Sequence, residues 1–165
     1  AWMTRLAASS TAIWNRVVLA AQGEGIPVHL DAARVGRLRL PAMRKAGLSV
    51  NKSVYLRDLA RHFVAGELDP SAWQALDNET LIERLTDVKG IGRWTAEMFL
   101  IFHEMRADVF PVDDIGLQKG VAMLYHDGVR MTPKVLREFG VRWAPYRSVA
   151  TWYLWRSLDP IPVEY

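Results

Sequence analysis

Residues 88–96 read Val88-Lys89-Gly90-Ile91-Gly92-Arg93-Trp94-Thr95-Ala96, and this stretch decides how the chain is interpreted. A Gly-x-Gly turn that leads into a helix directs backbone N–H groups toward an anion, with no Cβ in the way. The pattern predicts a hairpin between two helices, in which both glycines can take positive φ and Ile91 points inward to hold the helices together. A plain helix–helix turn explains two glycines equally well, so the turn alone does not establish phosphate binding.

Apolar residues recur at helical spacing on both sides of this turn. The periodicity predicts eight helices, over residues 7–21, 31–40, 54–66, 78–87, 93–104, 114–125, 132–143 and 146–158. Thr132 is a suitable N-cap with Pro133 at the first helical position. Because no alternating pattern is long enough to build a sheet, the predicted fold class is all-α.

Composition limits the chemistry that the chain can perform. The 165 residues include seven Trp and no Cys, which excludes disulfides, thiolate zinc sites, iron–sulfur clusters and Cys nucleophiles. The net charge of +3 is compatible with a polyanionic partner, although many ordinary proteins have a similar charge. No apolar run is long enough to cross a bilayer. The absence of Cys fits a cytoplasmic location without proving it.

A carboxylate pair, Asp113-Asp114, follows the hairpin at the start of the next predicted helix. Asp is a good helix N-cap, worth about 1 kcal/mol, and its charge suits the positive end of the helix dipole. A fixed carboxylate near a phosphate-binding turn is also suited to chemistry on nucleic acid. The hairpin favours the second interpretation over simple capping.

Three ordered motifs carry a family resemblance: residues 89–96, residues 108–114 (Asp-Val-Phe-Pro-Val-Asp-Asp) and residues 143–148 (Trp-Ala-Pro-Tyr-Arg-Ser). Together they resemble the helix-hairpin-helix (HhH-GPD) DNA glycosylase superfamily, and most of all the DNA-3-methyladenine glycosylase II branch. Residues 44–60 resemble the same branch. The resemblance implies one domain over residues 1–165 with two helical lobes, about 1–105 and 106–165, and an active-site cleft between them.

The resemblance also implies roles for individual residues. The catalytic carboxylate corresponds to Asp114, with Asp113 as second choice. Trp94, Met98 and Trp155 correspond to the pocket that receives the damaged base. The residues expected to contact DNA phosphates are Lys89, Gly90, Ile91, Gly92, Arg93 and Thr95.

The activity implied is hydrolysis of the N-glycosidic bond of alkylated purines such as 3-methyladenine in double-stranded DNA. Relatives that also nick the strand carry a Lys two residues after the second hairpin glycine, where this chain has Trp94. A monofunctional enzyme is therefore expected, acting as a monomer and leaving an abasic site. No cofactor and no metal site are expected, although a monovalent cation at the hairpin is possible within this scheme.

The sequence leaves alternatives open. The same mechanism could serve another lesion, such as a deaminated base, and a DNA-binding module without catalysis or a helical scaffold would use the same turn. Residues 2–6 lack the Gln that related proteins carry near the residue that wedges into the duplex, and Met3 is a weak candidate for that role. Trp14, Trp143 and Trp152 are assigned to the core.

Overall fold

The computed structural model describes residues 12–21 and 31–159. The described residues contain helices and turns and no strand, so the predicted all-α class is confirmed. Helix α1 includes residues 12–21. The following helices are α2 (Ala32–Arg37), α3 (Leu40–Lys45), α4 (Val50–Val64), α5 (Asn78–Thr86), α6 (Arg93–Phe102), α7 (Ile115–Tyr125), α8 (Pro133–Gly140) and α9 (Arg147–Arg156), with short 3₁₀ turns at Pro70–Ala75 and Val141–Trp143. Residues 2–6, including Met3, lie outside the described residues.

Capping side chains decide where several helices begin. Thr132 accepts a hydrogen bond from the Val135 N–H and starts α8, as predicted. Ser49 accepts one from the Lys52 N–H at 3.2 Å, so α4 begins at Val50, four residues before the predicted start. The predicted helix over 31–40 is interrupted after Arg37, and Pro41 lies in the first turn of the next helix.

The described residues belong to two compact units, the first made of residues 1–75 and 83–91. In this unit α2 and α3 pack against α4. Its core is formed by Val35, Met43 and Ala60, with partly buried leucines around them. The long helix α4 is thus held by its neighbours, and two of its side chains reach the hairpin.

The second unit comprises residues 76–82 and 92–165. Helix α7 packs against α9, and the buried core consists of Phe110, Val112, Leu117, Val121, Leu136 and Leu154. Residues 92–105 belong to this unit, while the predicted arrangement of two lobes around a cleft stays a prediction. Within the described ranges, no helix is long and apolar enough to cross a membrane.

The three tryptophans assigned to the core behave differently. Trp143 packs on the core of the second unit, as predicted. Trp14 and Trp152 are each 47% exposed, so their assignment to the core was wrong. Trp152 lies on the outer face of α9, where its ring edge meets Tyr153 and the Arg156 guanidinium lies 6.0 Å from its centroid. Helical spacing alone did not reveal which face of α9 is covered.

Candidate active site

The hairpin between α5 and α6 has one glycine in the left-handed region. Gly90 has φ +86°, and the Ile91 N–H closes the turn on the Val88 carbonyl at 3.1 Å. Gly92 is instead the N-cap of α6, with extended backbone at φ −92° and ψ 167°. Of the two glycines that can take positive φ, only Gly90 does so. Ile91 is partly buried.

Two side chains of α4 support the hairpin from one side. A Cβ added at Gly90 would lie 2.3 Å from Tyr55 Cδ2, so the aromatic ring leaves room only for glycine. Asp58 Oδ2 accepts a hydrogen bond from the Lys89 N–H at 2.9 Å, and this bond is the main reason why the pKa of Asp58 is lowered. The spacing of Tyr55 and Asp58 by three positions on α4 was the only sequence signal for this contact.

The residues predicted to contact phosphate do not all present free side chains. Lys89 and Thr95 are exposed. The Arg93 guanidinium is already bound to carboxylates, with Nη1 and Nη2 at 2.8 and 2.6 Å from Glu79 and Nε at 3.1 Å from Glu97. No side chain caps α6. Its first-turn N–H groups therefore have no side-chain partner from a capping residue, whereas the Arg93 guanidinium is paired.

Asp114 is held by three N–H donors. It is the N-cap of α7, and its Oδ1 accepts the Leu117 N–H at 2.7 Å. The same oxygen accepts the Trp155 indole N–H at 2.7 Å, and Oδ2 accepts the Trp94 indole N–H at 2.8 Å. The structure thus brings the predicted catalytic carboxylate together with two of the three predicted base-pocket residues, and the capping interpretation holds at the same time.

The other predicted site residues differ from Asp114 in their surroundings. Met98 is partly buried, one helical turn after Trp94 on α6. Asp113 is exposed. Trp94 is 50% exposed, so half of its surface is accessible to solvent. Asp114 is therefore the aspartate of the pair whose carboxylate is fixed by hydrogen bonds, whereas Asp113 is exposed.

The chain segment that precedes Asp114 is held in place by the first residues of α9. Arg147 makes a bidentate pair with Asp108, with Nε and Nη2 at 2.6 and 2.8 Å from its carboxylate oxygens, and this pair lowers the pKa of Asp108. Ser148 Oγ accepts the Val109 N–H at 2.9 Å and donates to the Arg106 carbonyl at 2.6 Å. Arg147 and Ser148 therefore hold the segment that leads to Asp114.

Glu97 is a buried carboxylate that the sequence patterns did not single out. Its side chain lies on α6 with the residue only 3% exposed, and Arg93 binds Oε1 while Oε2 is buried without a hydrogen-bond partner. Burial raises the pKa of Glu97 to about 7, against the opposing effect of Arg93 and with a smaller contribution from the charge of Asp113. The only sequence signal was a Glu in the apolar stripe of α6.

Comparison with known protein families gives a match over most of the chain. The family described as "HhH-GPD superfamily base excision DNA repair protein" matches residues 7–145. The chain belongs to the HhH-GPD superfamily. The hairpin and Asp114 lie within the matched residues.

Several relatives of this HhH-GPD protein are named as DNA-3-methyladenine glycosylases. DNA-3-methyladenine glycosylase 1 of Schizosaccharomyces pombe is 42% identical over 117 residues, which are 70% of this chain and 51% of the relative. A crystal structure of DNA-3-methyladenine glycosidase from Bacillus halodurans superposes with a TM-score of 0.82 at 38% identity, over 92% of this chain and 68% of that one. The Schizosaccharomyces pombe 3-methyladenine DNA glycosylase in complex with abasic DNA superposes with a TM-score of 0.72 at 33% identity, over 94% and 75%.

This HhH-GPD chain spans about half the length of the curated relatives it matches. Two residues after the second hairpin glycine the chain has Trp94, which offers an indole N–H and no amine. Within the part of the chain that the structure describes, no group of three or more His, Cys, Asp or Glu side chains is placed to hold a metal ion.

Proposed function

We propose that this protein is a monofunctional DNA N-glycosylase that removes alkylated purines such as 3-methyladenine from double-stranded DNA. The names of its relatives support the substrate class, and the abasic DNA bound to one of them fits the expected product. The observation that carries the proposal is the Asp114 carboxylate, fixed by three N–H donors beside the half-exposed indole of Trp94.

The chemistry requires a fixed anion near the sugar. When the bond between C1′ and the base nitrogen breaks, its electron pair leaves with the base and positive charge develops on the sugar ring. The Asp114 carboxylate stabilises this oxocarbenium-like charge, and it orients the water that adds to C1′ and loses a proton. An alkylated purine is already cationic and leaves as a neutral base, so the step needs no strong general acid.

Access to C1′ requires the damaged nucleotide to leave the duplex, because glycosylases act on extruded bases. Trp94 and Met98 are then suited to contact the base. An electron-rich indole face attracts a cationic purine, with a cation–π contribution of roughly 0.5–2 kcal/mol. Base-pocket roles for Trp94, Met98 and Trp155 are part of this proposal.

Sequence-independent binding is assigned to the hairpin and to the first turn of α6. Backbone N–H groups there would hold one or two phosphates of the duplex. The proposal includes no cofactor beyond a possible monovalent cation at the hairpin. We also propose that the protein acts as a monomer and that it is located in the cytoplasm in association with DNA.

The decisive experiment measures release of free base from methylated duplex DNA by the wild type and by Asp114→Asn, together with affinity for the same duplex. We expect release by the wild type only, with the affinities of the two proteins within about three-fold, because the substitution removes charge and leaves the hairpin unchanged. Release at equal rates from both proteins would contradict the assignment of Asp114. Binding without release from methylated DNA would move the proposal to a deaminated base or to a non-catalytic DNA-binding module.

The hairpin is tested separately through Gly90→Ala. The added Cβ meets the Tyr55 ring at 2.3 Å on a backbone with φ +86°, so we expect weaker binding to every duplex regardless of sequence. Gly66→Ala is the matched control, because Gly66 has φ +72° in the same unit with no atom within 4 Å. The dependence of the DNA affinity on salt concentration reports the number of phosphate contacts. Equal losses in the two variants would remove the hairpin from the DNA-binding surface.

A further inference from the structure

The hydrogen bonds on Asp114 leave little of its carboxylate unoccupied. A carboxylate offers about four lone-pair sites for donors. Oδ1 accepts both the Leu117 N–H and the Trp155 indole N–H, while Oδ2 accepts the Trp94 indole N–H. The remaining site therefore belongs to Oδ2, and the orientation of the carboxylate is set by the two donors on Oδ1.

Gly116 provides the space that the Trp155 contact needs. A Cβ at this position would lie 2.9 Å from Trp155 Cδ1, 3.1 Å from Trp155 Nε1 and 3.0 Å from Asp114 Oδ1. A methyl group at this position would force the Trp155 ring and the Asp114 carboxylate to shift by a few tenths of an ångström, because close-packed side chains cannot approach so far without moving. Any larger residue in the first turn of α7 would push the indole and the carboxylate apart.

The two indoles are held to different degrees. The Trp155 ring is partly buried and stacks on Phe102, with centroids 5.9 Å apart and planes at 15°. Trp94 is 50% exposed. The Trp155 donor is thus fixed by packing on one side and by Gly116 on the other, whereas half of the Trp94 residue surface is open to solvent.

We propose that Trp155 is a positioning residue that orients Asp114 through its indole N–H, and that Gly116 is the spacer that makes this contact possible. The inference rests on the proposed glycosylase function for its kinetic consequences, while the contact itself does not depend on activity. It adds a second role to the base-pocket position proposed for Trp155: its indole N–H acts on the carboxylate, while the more exposed Trp94 offers a larger part of its ring to the base.

The kinetic test uses variants that separate the N–H from the ring. Trp155→Phe keeps an aromatic ring and removes the donor, so we expect the single-turnover rate of base release to fall on the order of 10- to 100-fold. Affinity for a methylated duplex made uncleavable by a 2′-fluorine on the sugar of the damaged nucleotide should stay within about three-fold. Trp152→Phe, on the same helix and without contact to Asp114, is the matched control. A loss of affinity with an unchanged rate would overturn the proposal in favour of a base-pocket role alone, and no change in either would overturn it as well.

A double-mutant cycle tests the spacer. Gly116→Ala keeps all the donors and should still lower the rate about as much as Trp155→Phe, since the methyl group displaces the indole. If Gly116 acts through Trp155, the double variant should be no slower than the slower single variant, because the two losses share one contact. Losses that simply multiply would show that Gly116 acts elsewhere. Thermal unfolding of each variant confirms that it is folded.

A spectroscopic measurement detects the hydrogen bond between Trp155 and Asp114 independently of enzymatic activity. In the free protein labelled with ¹⁵N, Asp114→Asn should shift the indole N–H resonances of Trp94 and Trp155 and leave that of Trp152 in place. Gly116→Ala should shift the Trp155 resonance. A Trp155 indole resonance that does not shift in either variant would overturn the inference, even if base release is observed. Shifted resonances without base release from methylated DNA would instead contradict only the proposed function.

Discussion

Asp114 and Glu97 are two carboxylates of the same structural unit that are stabilised in opposite ways. Asp114 accepts three N–H donors and remains partly accessible. Glu97 is 3% exposed, has one donor in Arg93 and keeps a buried oxygen without a partner. Donors favour a fixed anion, whereas desolvation favours a neutral acid. The comparison shows that the surroundings of a carboxylate, rather than its residue type, decide which one is suited to stabilise a cation.

The largest expected effect is on the rate of base release when each carboxylate becomes an amide. Asp114→Asn should lower the single-turnover rate on methylated duplex DNA by about 1000-fold, because a preorganised charge at the reacting sugar is lost. Glu97→Gln should lower it by less than about three-fold, since a carboxyl group with a pKa of about 7 is partly protonated near neutral pH and has no contact with Asp114. Comparable losses in the two variants would break the distinction between them.

The next effect concerns stability against pH. The pKa of Glu97 is raised from 4.5 to about 7 in the folded protein, so the folded state holds a proton that the unfolded state releases between these values. Its contribution to the free energy of unfolding is fully present below pH 4.5 and is lost as pH rises toward 7, amounting to at most about 3 kcal/mol.

Denaturant titrations from pH 4.5 to 8 measure this contribution. Glu97→Gln should remove that part of the pH dependence and be more stable than the wild type near pH 8, because an amide carries no charge to desolvate. Arg93 keeps its bidentate partner Glu79 in this variant. Glu138→Gln, an exposed position on α8, is the control. An unchanged slope in Glu97→Gln would mean that Glu97 is ionised throughout.

The smallest expected effect comes from Asp113→Asn. Asp113 is exposed, and its charge contributes to raising the pKa of Glu97. The substitution should therefore lower the pKa of Glu97 while base release stays within about two-fold of the wild type. A carboxyl ¹³C titration of Glu97 measures the first effect. A large loss of release would instead make Asp113 the catalytic carboxylate in place of Asp114.

The features predicted well from sequence are those set by local rules. The all-α class follows from periodicity, the hairpin from its glycines, and the N-cap position of Asp114 from its place before an apolar helix. The sequence did not reveal that Gly92 is the N-cap of α6, where the backbone has an extended conformation that any residue can adopt. The pair between Arg93 and Glu79 was not predictable, because Glu79 is brought near Arg93 only by tertiary packing. The burial of Glu97 was hidden for the same reason.

The glycines of α7 have a consequence for how the site forms. A Cβ at Gly120 would lie 2.8 Å from the Leu154 carbonyl oxygen, and Gly116 makes a similar close approach to Trp155, so both glycines face α9. Each costs the isolated helix about 1 kcal/mol relative to Ala, which leaves a helix of 11 residues dependent on its neighbour. During folding α7 therefore gains its stability when α9 docks. That docking step also brings the Trp155 donor to Asp114, so the hydrogen bonds around this carboxylate are complete only in molecules whose helix pair has already formed.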